Sequence, residues 1–208
     1  MRTIVGLAAL LVLGACATES GPAPTLAEPT QSVSAVVEPT QPEAAPTEET
    51  APPTEEQVDM AFQLTSSAFA PEDSIPATYS CDGANISPPL SWTDPPSGTK
   101  SFALIFDDPD APGGAWVHWV LFDLPTEARS LPEAVGPDPR LGVHGSNSWN
   151  SIGYGGPCPP GGEHRYFFKL YALDSVLELE VGATKEQVLE AMEGHILAET
   201  ELMGTYSR

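Results

Sequence analysis

The chain has 208 residues, with 29 acidic against 8 basic side chains and a formal charge of −21 at pH 7. That balance excludes nucleic acid as a partner, because phosphates need basic surface, and it excludes direct electrostatic adhesion to an anionic membrane face. At this length, and with 41% apolar residues, the chain can bury a core of its own in one ordinary domain.

One basic residue, Arg2, precedes an apolar run from Ile4 to Leu13 that is too short to span a bilayer as a mature helix. The run closes on Leu13-Gly14-Ala15-Cys16, which resembles the bacterial lipobox. The resemblance implies a signal over residues 1–16, lipidation of Cys16 and anchoring to the cell envelope, at the outer membrane where the host has one. A plain secretory signal with a cysteine near its cleavage site is the alternative. Residues 17–59 hold eight prolines and nine acids with no Lys or Arg, too little apolar surface to offset the entropy of ordering. They are expected to form an extended, self-repelling tether, reaching on the order of 40 Å as a coil and about 140 Å fully stretched.

The folded domain is expected over residues 60–208, where twenty acids against seven bases leave −13. Weak strand signals at 62–65 and 90–93 precede strong ones at 101–106 (SFALIF) and 117–124 (VHWVLFDL), rich in aromatic and branched residues. Residues 125–162 read as a long turn-rich loop, 165–173 (RYFFKLYAL) as a further strand, and 176–181 as a weak one. Thr184 and Gln187 then form a capping-box pattern, and Val188, Leu189 and Met192 give an apolar face at helical spacing before Gly194. "EGHILAETEL" is expected to continue as a second short helix. Several short strands without interleaved helices predict an antiparallel β-sandwich with one or two short C-terminal helices.

Cys81 and Cys158 form an even pair in an exported domain and read as a disulfide, the alternative being two buried thiols. Chemistry gathers in "DDPDAPGGAWVHW" (107–119), where Pro109 and Pro112 stiffen the connection between two strands, and in "GYGGPCPPGGEHRY" (153–166). Strict alternation puts His164 and Tyr166 on one face and Arg165 on the other, sets His118 opposite Val117 and Trp119, and lets Asp108 and Asp110 face one way. Asp108, Asp110, His118 and His164 are a candidate ligand set for a metal-dependent hydrolase, but no HExxH-like spacing supports it. Ser146 lacks the GxSxG elbow of a nucleophile. His144 and His195 read as loop or packing residues, Trp92, Trp116 and Trp119 as core or pocket wall, and Asn85 as a turn residue. Tyr79 and Tyr154 suit pocket lining and core equally, and Asp107 reads as a solvated neighbour or a support for its loop.

"DGANISPPLSW", "DPDAP" followed by "HW", and "YGGPCPP" followed by "HRY" resemble the phosphatidylethanolamine-binding protein family, and more narrowly its bacterial Raf-kinase-inhibitor-like branch. The likeness runs through residues 62–208, including the closing "GHILAETELMGTYSR". It implies a β-sandwich with a small preformed pocket for phosphate, acetate or a phospholipid head group, without catalysis and without a cofactor. Carried onto this chain, the pocket residues are Asp108, Asp110, Pro112, His118, Gly156, Pro157, His164 and Tyr166, with Arg165 in a supporting ion pair. Donors are expected from the two imidazoles, the Tyr166 hydroxyl and backbone N–H groups of the glycine-rich loop, a carboxylate raising the pKa of its imidazole. The branch also implies a regulatory role, such as inhibition of an exported enzyme, as the alternative to simple ligand binding.

Overall fold

The computed structural model describes residues 62–208. The signal, Cys16, the tether and the first two residues of the expected domain lie outside the described residues. Strands β1 (Leu64–Ser66), β2 (Leu90–Trp92) and β5 (Ser130–Leu131) form a small sheet in the order β1-β2-β5. Strands β3 (Ser101–Asp108), β4 (Trp116–Pro125), β6 (Val143–His144), β7 (Glu163–Leu173) and β8 (Ile196–Ser207) form a larger one, β6-β4-β3-β7-β8. Every pairing within the two sheets is antiparallel.

The larger sheet is covered on both faces. One face meets the small sheet, burying Leu64, Leu90, Trp92 and Leu131 against Phe102, Phe106, Trp119 and Phe168. The other face carries Ala103, Ile105, Val120 and Phe122 and is capped by Val188 and Met192 of helix α1 (Lys185–Met192). β3 is therefore buried along all eight residues, which is why it reads as an unbroken apolar run rather than an alternating one. The Thr184–Gln187 capping box forms as the sequence suggests: Gln187 N donates to Thr184 Oγ1, and Thr184 N donates to Gln187 Oε1 at 2.9 Å.

Three expected elements come out differently. Gly194, at φ 78°, ends the helical segment, and Ile196–Ser207 then pairs with β7 from Ile196 to Ser207 as β8. The second helix is thus a strand, so α1 is the single α-helix among the described residues. Residues 176–181 form no strand, because the Asp123 carboxylate takes the N–H groups of Leu177 and Glu178 at 2.8 and 3.3 Å. The loop 125–162 contains β5, β6 and a 3₁₀ turn at Pro139–Leu141.

Candidate functional site

β3 runs out at Asp108 beside the start of β4, and β7 lies against the other side of β3, so one end of the larger sheet collects both motifs. There the register breaks: Phe106 pairs with Trp119 and Asp107 with Val117, leaving His118 unpaired as the extra residue of a β-bulge. A bulge shifts parity and re-aims side chains. His118 accordingly packs 5.2 Å from the Phe106 ring and 5.3 Å from Tyr166, on the Trp119 side of the sheet. This corrects strict alternation, which set it opposite Trp119. The bulge is locked by a reciprocal pair: Gly155 N donates to the His118 carbonyl at 2.9 Å, and His118 Nδ1 contacts the Gly155 carbonyl at 2.8 Å. A carbonyl oxygen only accepts, so Nδ1 carries the proton, and neutral His118 keeps its lone pair on Nε2.

Asp108 is the hub. Its Oδ1 accepts from Asp110 N at 2.8 Å and its Oδ2 bonds His164 Nδ1 at 2.8 Å, with only 4% of the carboxylate side chain exposed. Tyr166 lies between the two imidazoles, its ring 5.3 Å from His118 and 6.5 Å from His164. Its hydroxyl is buried beside the Asp108 carboxylate and the Cys158 backbone without a hydrogen bond of regular geometry, and the Trp116 indole N–H is buried without a partner. Burial, and then the Asp108 charge, raise the Tyr166 phenol above its ordinary value, so it remains a donor. Burial also lowers the His118 pKa, and the Gly155 carbonyl and Asp108 charge offset this only partly. At His118, desolvation outweighs the carboxylate that was expected to raise its pKa.

These groups surround a pocket of about 270 Å³ lined by Asp108, Ala111, Pro112, Trp116, His118, Trp149, Cys158 and Pro160. Of the eight residues the sequence singled out, Asp108, Pro112 and His118 form wall, while His164 bonds Asp108 and Tyr166 packs on His118. Asp110 turns away: Arg165 Nε and NH2 grip its carboxylate at 2.9 and 2.7 Å in a partly exposed ion pair, which holds its pKa well below the usual carboxylate range. Gly156 and Pro157 support the wall. Gly156 N donates to Asn85 Oδ1 at 2.7 Å, and the Pro157 carbonyl accepts from Cys81 N at 3.0 Å. The N–H groups of Gly155 and Gly156 are therefore already engaged within the protein. A Cβ at Gly156 would stand 2.2 Å from the Tyr79 carbonyl, which explains the glycine.

Cys81 and Cys158 are bonded, with Cα atoms 5.4 Å apart, so the disulfide staples the Cys158 wall to the 80–85 turn. Sequence reasoning missed Ala111, Trp149, Cys158 and Pro160 as wall residues, and missed Asn85 as the clamp on the glycine loop. Asn85 has φ 55°, a conformation Asn tolerates, but its contact partner is 71 residues away. Asp107 is no solvated neighbour: it is 1% exposed and bonds Lys169 and Lys185. Among the described residues, no group of three or more His, Cys, Asp and Glu side chains is arranged to hold a metal ion.

The model of the family described as phosphatidylethanolamine-binding protein matches residues 65–207. The chain belongs to the phosphatidylethanolamine-binding protein family. A UPF0098 protein of Methanothermobacter thermautotrophicus is 56% identical over 148 residues, covering 70% of this chain and 98% of that one. Among solved structures, a putative phosphatidylethanolamine-binding protein homologue from Chlamydia trachomatis superposes with a TM-score of 0.68 at 49% identity, over 72% of this chain and 99% of its own. E. coli YbcL, described as a member of the mammalian family, gives 0.66 at 32% identity, over 71% and 98%. Membership in the phosphatidylethanolamine-binding protein family supports a binding role of that kind for the domain, and the mainly β, two-sheet architecture is the family's.

Proposed function

We propose that this domain binds, without chemical conversion, a small anionic or phosphate-bearing ligand of the phospholipid head-group type, and that lipidation of Cys16 holds it at the cell envelope. The observation that carries the reading is the buried Tyr166 hydroxyl beside His118, which makes no hydrogen bond of regular geometry within the protein. A donor buried without a partner costs about 1–3 kcal/mol, a cost that a ligand oxygen removes. The Trp116 N–H offers a second donor of the same kind at the pocket wall. Arg165 stays outside as the partner of Asp110, so the ligand is met by hydrogen bonds rather than by a fixed cation. Affinity should accordingly be modest.

Binding should also take up a proton. An anion against neutral His118 favours protonation at Nε2, so affinity rises as pH falls through the window between the lowered pKa of the free protein and the raised pKa of the complex. Calorimetric titration of the protein with phosphoethanolamine at pH 6 and pH 8, beside Tyr166→Phe, tests both points. Saturable binding at pH 6 that weakens at pH 8 and drops roughly tenfold in the variant is the expected result. No heat at either pH would sink the head-group reading.

A further inference from the structure

On β7 and β8, a cavity of about 320 Å³ is lined by Lys169, Tyr171, Glu199, Thr200 and Glu201. It shares no residue with the anion pocket. Tyr171 stands opposite Glu199 and Lys169 opposite Glu201, and alternation along the two strands sets these four on one face. Tyr171 belongs to the apolar cluster beneath α1, so that face is the far face of the larger sheet. Lys169 is drawn to Asp107, which it shares with Lys185, and no cation pairs with Glu199 or Glu201 among the described residues. Tyr171 is 8% exposed, yet its hydroxyl makes no hydrogen bond among the described residues. Burial, and then the charges of Glu199, Asp107 and Glu201, push its phenol up to about 12. The hydroxyl thus lies in a negative field with its oxygen free to accept.

The surroundings carry the same sign. Seven glutamates lie from Glu178 to Glu201, all exposed and none in an ion pair among the described residues. Both basic residues of that stretch are taken, Lys185 by Asp107 and His195 by Asp174. Leu177, Leu179 and Leu189 pack against the same apolar cluster as Tyr171, so the acids between them lie over the far face. We propose that this face is a docking surface for a lysine-rich segment of a partner protein, with one lysine entering the cavity to meet Glu199, Glu201 and the Tyr171 oxygen. Lysine suits the cavity because its compact ammonium, on a flexible four-carbon stem, donates to all three acceptors. A segment suits the face better than a lone cation, since the glutamates outside the cavity extend the charge match to further lysines.

The test is titration of the full chain with tetralysine and with butylammonium, followed by backbone NMR shifts, in the wild type and three variants. Tyr171→Phe keeps the charge and removes the phenol oxygen. Glu199→Gln with Glu201→Gln removes two charges at the cavity, and Glu72→Gln with Glu127→Gln removes two elsewhere on the domain. Tetralysine should bind saturably and more tightly than butylammonium, moving the resonances of β7 and β8 around the cavity. Tyr171→Phe and the Glu199/Glu201 pair should each weaken it by about fivefold, while the Glu72/Glu127 pair changes it little. Equal losses in the two charge-removing pairs would show a diffuse attraction to a chain of charge −21 and overturn the docking surface. Affinity unchanged in Tyr171→Phe would take the cavity out of the interface and overturn it too. Butylammonium binding as tightly as tetralysine would make this a small-amine site and overturn the partner reading.

Discussion

His118 sits in the bulge of β4 with its Nδ1 proton held by the Gly155 carbonyl, which leaves Nε2 as the site that takes up a proton when an anion binds. The Asp108 carboxylate in the pocket wall accepts, so an oxyanion carrying its own proton is better matched than one without. Phosphate should therefore outcompete sulfate near pH 7, a preference of roughly tenfold for one added hydrogen bond, measurable by competition titration. Equal affinities would contradict it. Burial holds His118 and His144 below their ordinary pKa, so the unfolded chain binds more protons than the folded one as pH falls through about 6.5. These two residues thus stabilise the fold above that range, and the stabilisation is lost below it. The free protein's melting temperature should drop from pH 7 to pH 5, and phosphate should restore part of it. At this scale Asp108, His164 and Tyr166 were legible, because strand alternation and two stiffened loops bring them together. The direction of His118 was not, since the bulge arises from pairing with β3 rather than from local sequence.

At the scale of elements, the far face of the larger sheet depends on a buried charge. Asp107, on β3, meets Lys169 of β7 and Lys185 at the start of α1, and so ties helix to sheet. Asp107→Asn removes the shared anion. It should cost about 3 kcal/mol, the low end for a buried pair, because the lysines are 33% and 18% exposed and can reach water. Denaturant unfolding would register it as a lower midpoint, and an unchanged midpoint would refute the anchoring role. β3, β4 and β7 were readable from their aromatic and branched runs, and α1 from its capping box. β8 was not: Ile196 to Glu201 are mostly exposed or half-buried, so no apolar period marks the segment, and its strand state is imposed by pairing with β7. The expected strand at 176–181 failed for the converse reason, its backbone donors being drawn to Asp123.

For the whole molecule, the Cys81–Cys158 bond closes a separation of 77 residues and fixes a pocket wall at the same time. Replacing both cysteines by serine should lower stability by roughly 4 kcal/mol in the chain-entropy model, read by denaturant unfolding, and should weaken phosphate binding. Stability lost with affinity unchanged would show the wall is held by its hydrogen bonds alone. The charge of −21 on the full chain opposes adhesion to an anionic surface by itself, so the proposed membrane attachment rests on Cys16. Cys16→Ser should move the protein from the membrane fraction to the soluble fraction, and retention at the membrane would contradict the anchor.

The pocket's anion role is tested most directly by the imidazole resonances of His118, followed by NMR from pH 8 to pH 5 with and without saturating phosphate. Without phosphate the ring should titrate below the ordinary histidine value of 6.5. With phosphate, its titration should move upward. A His118 curve that phosphate leaves unmoved would contradict anion binding at this site.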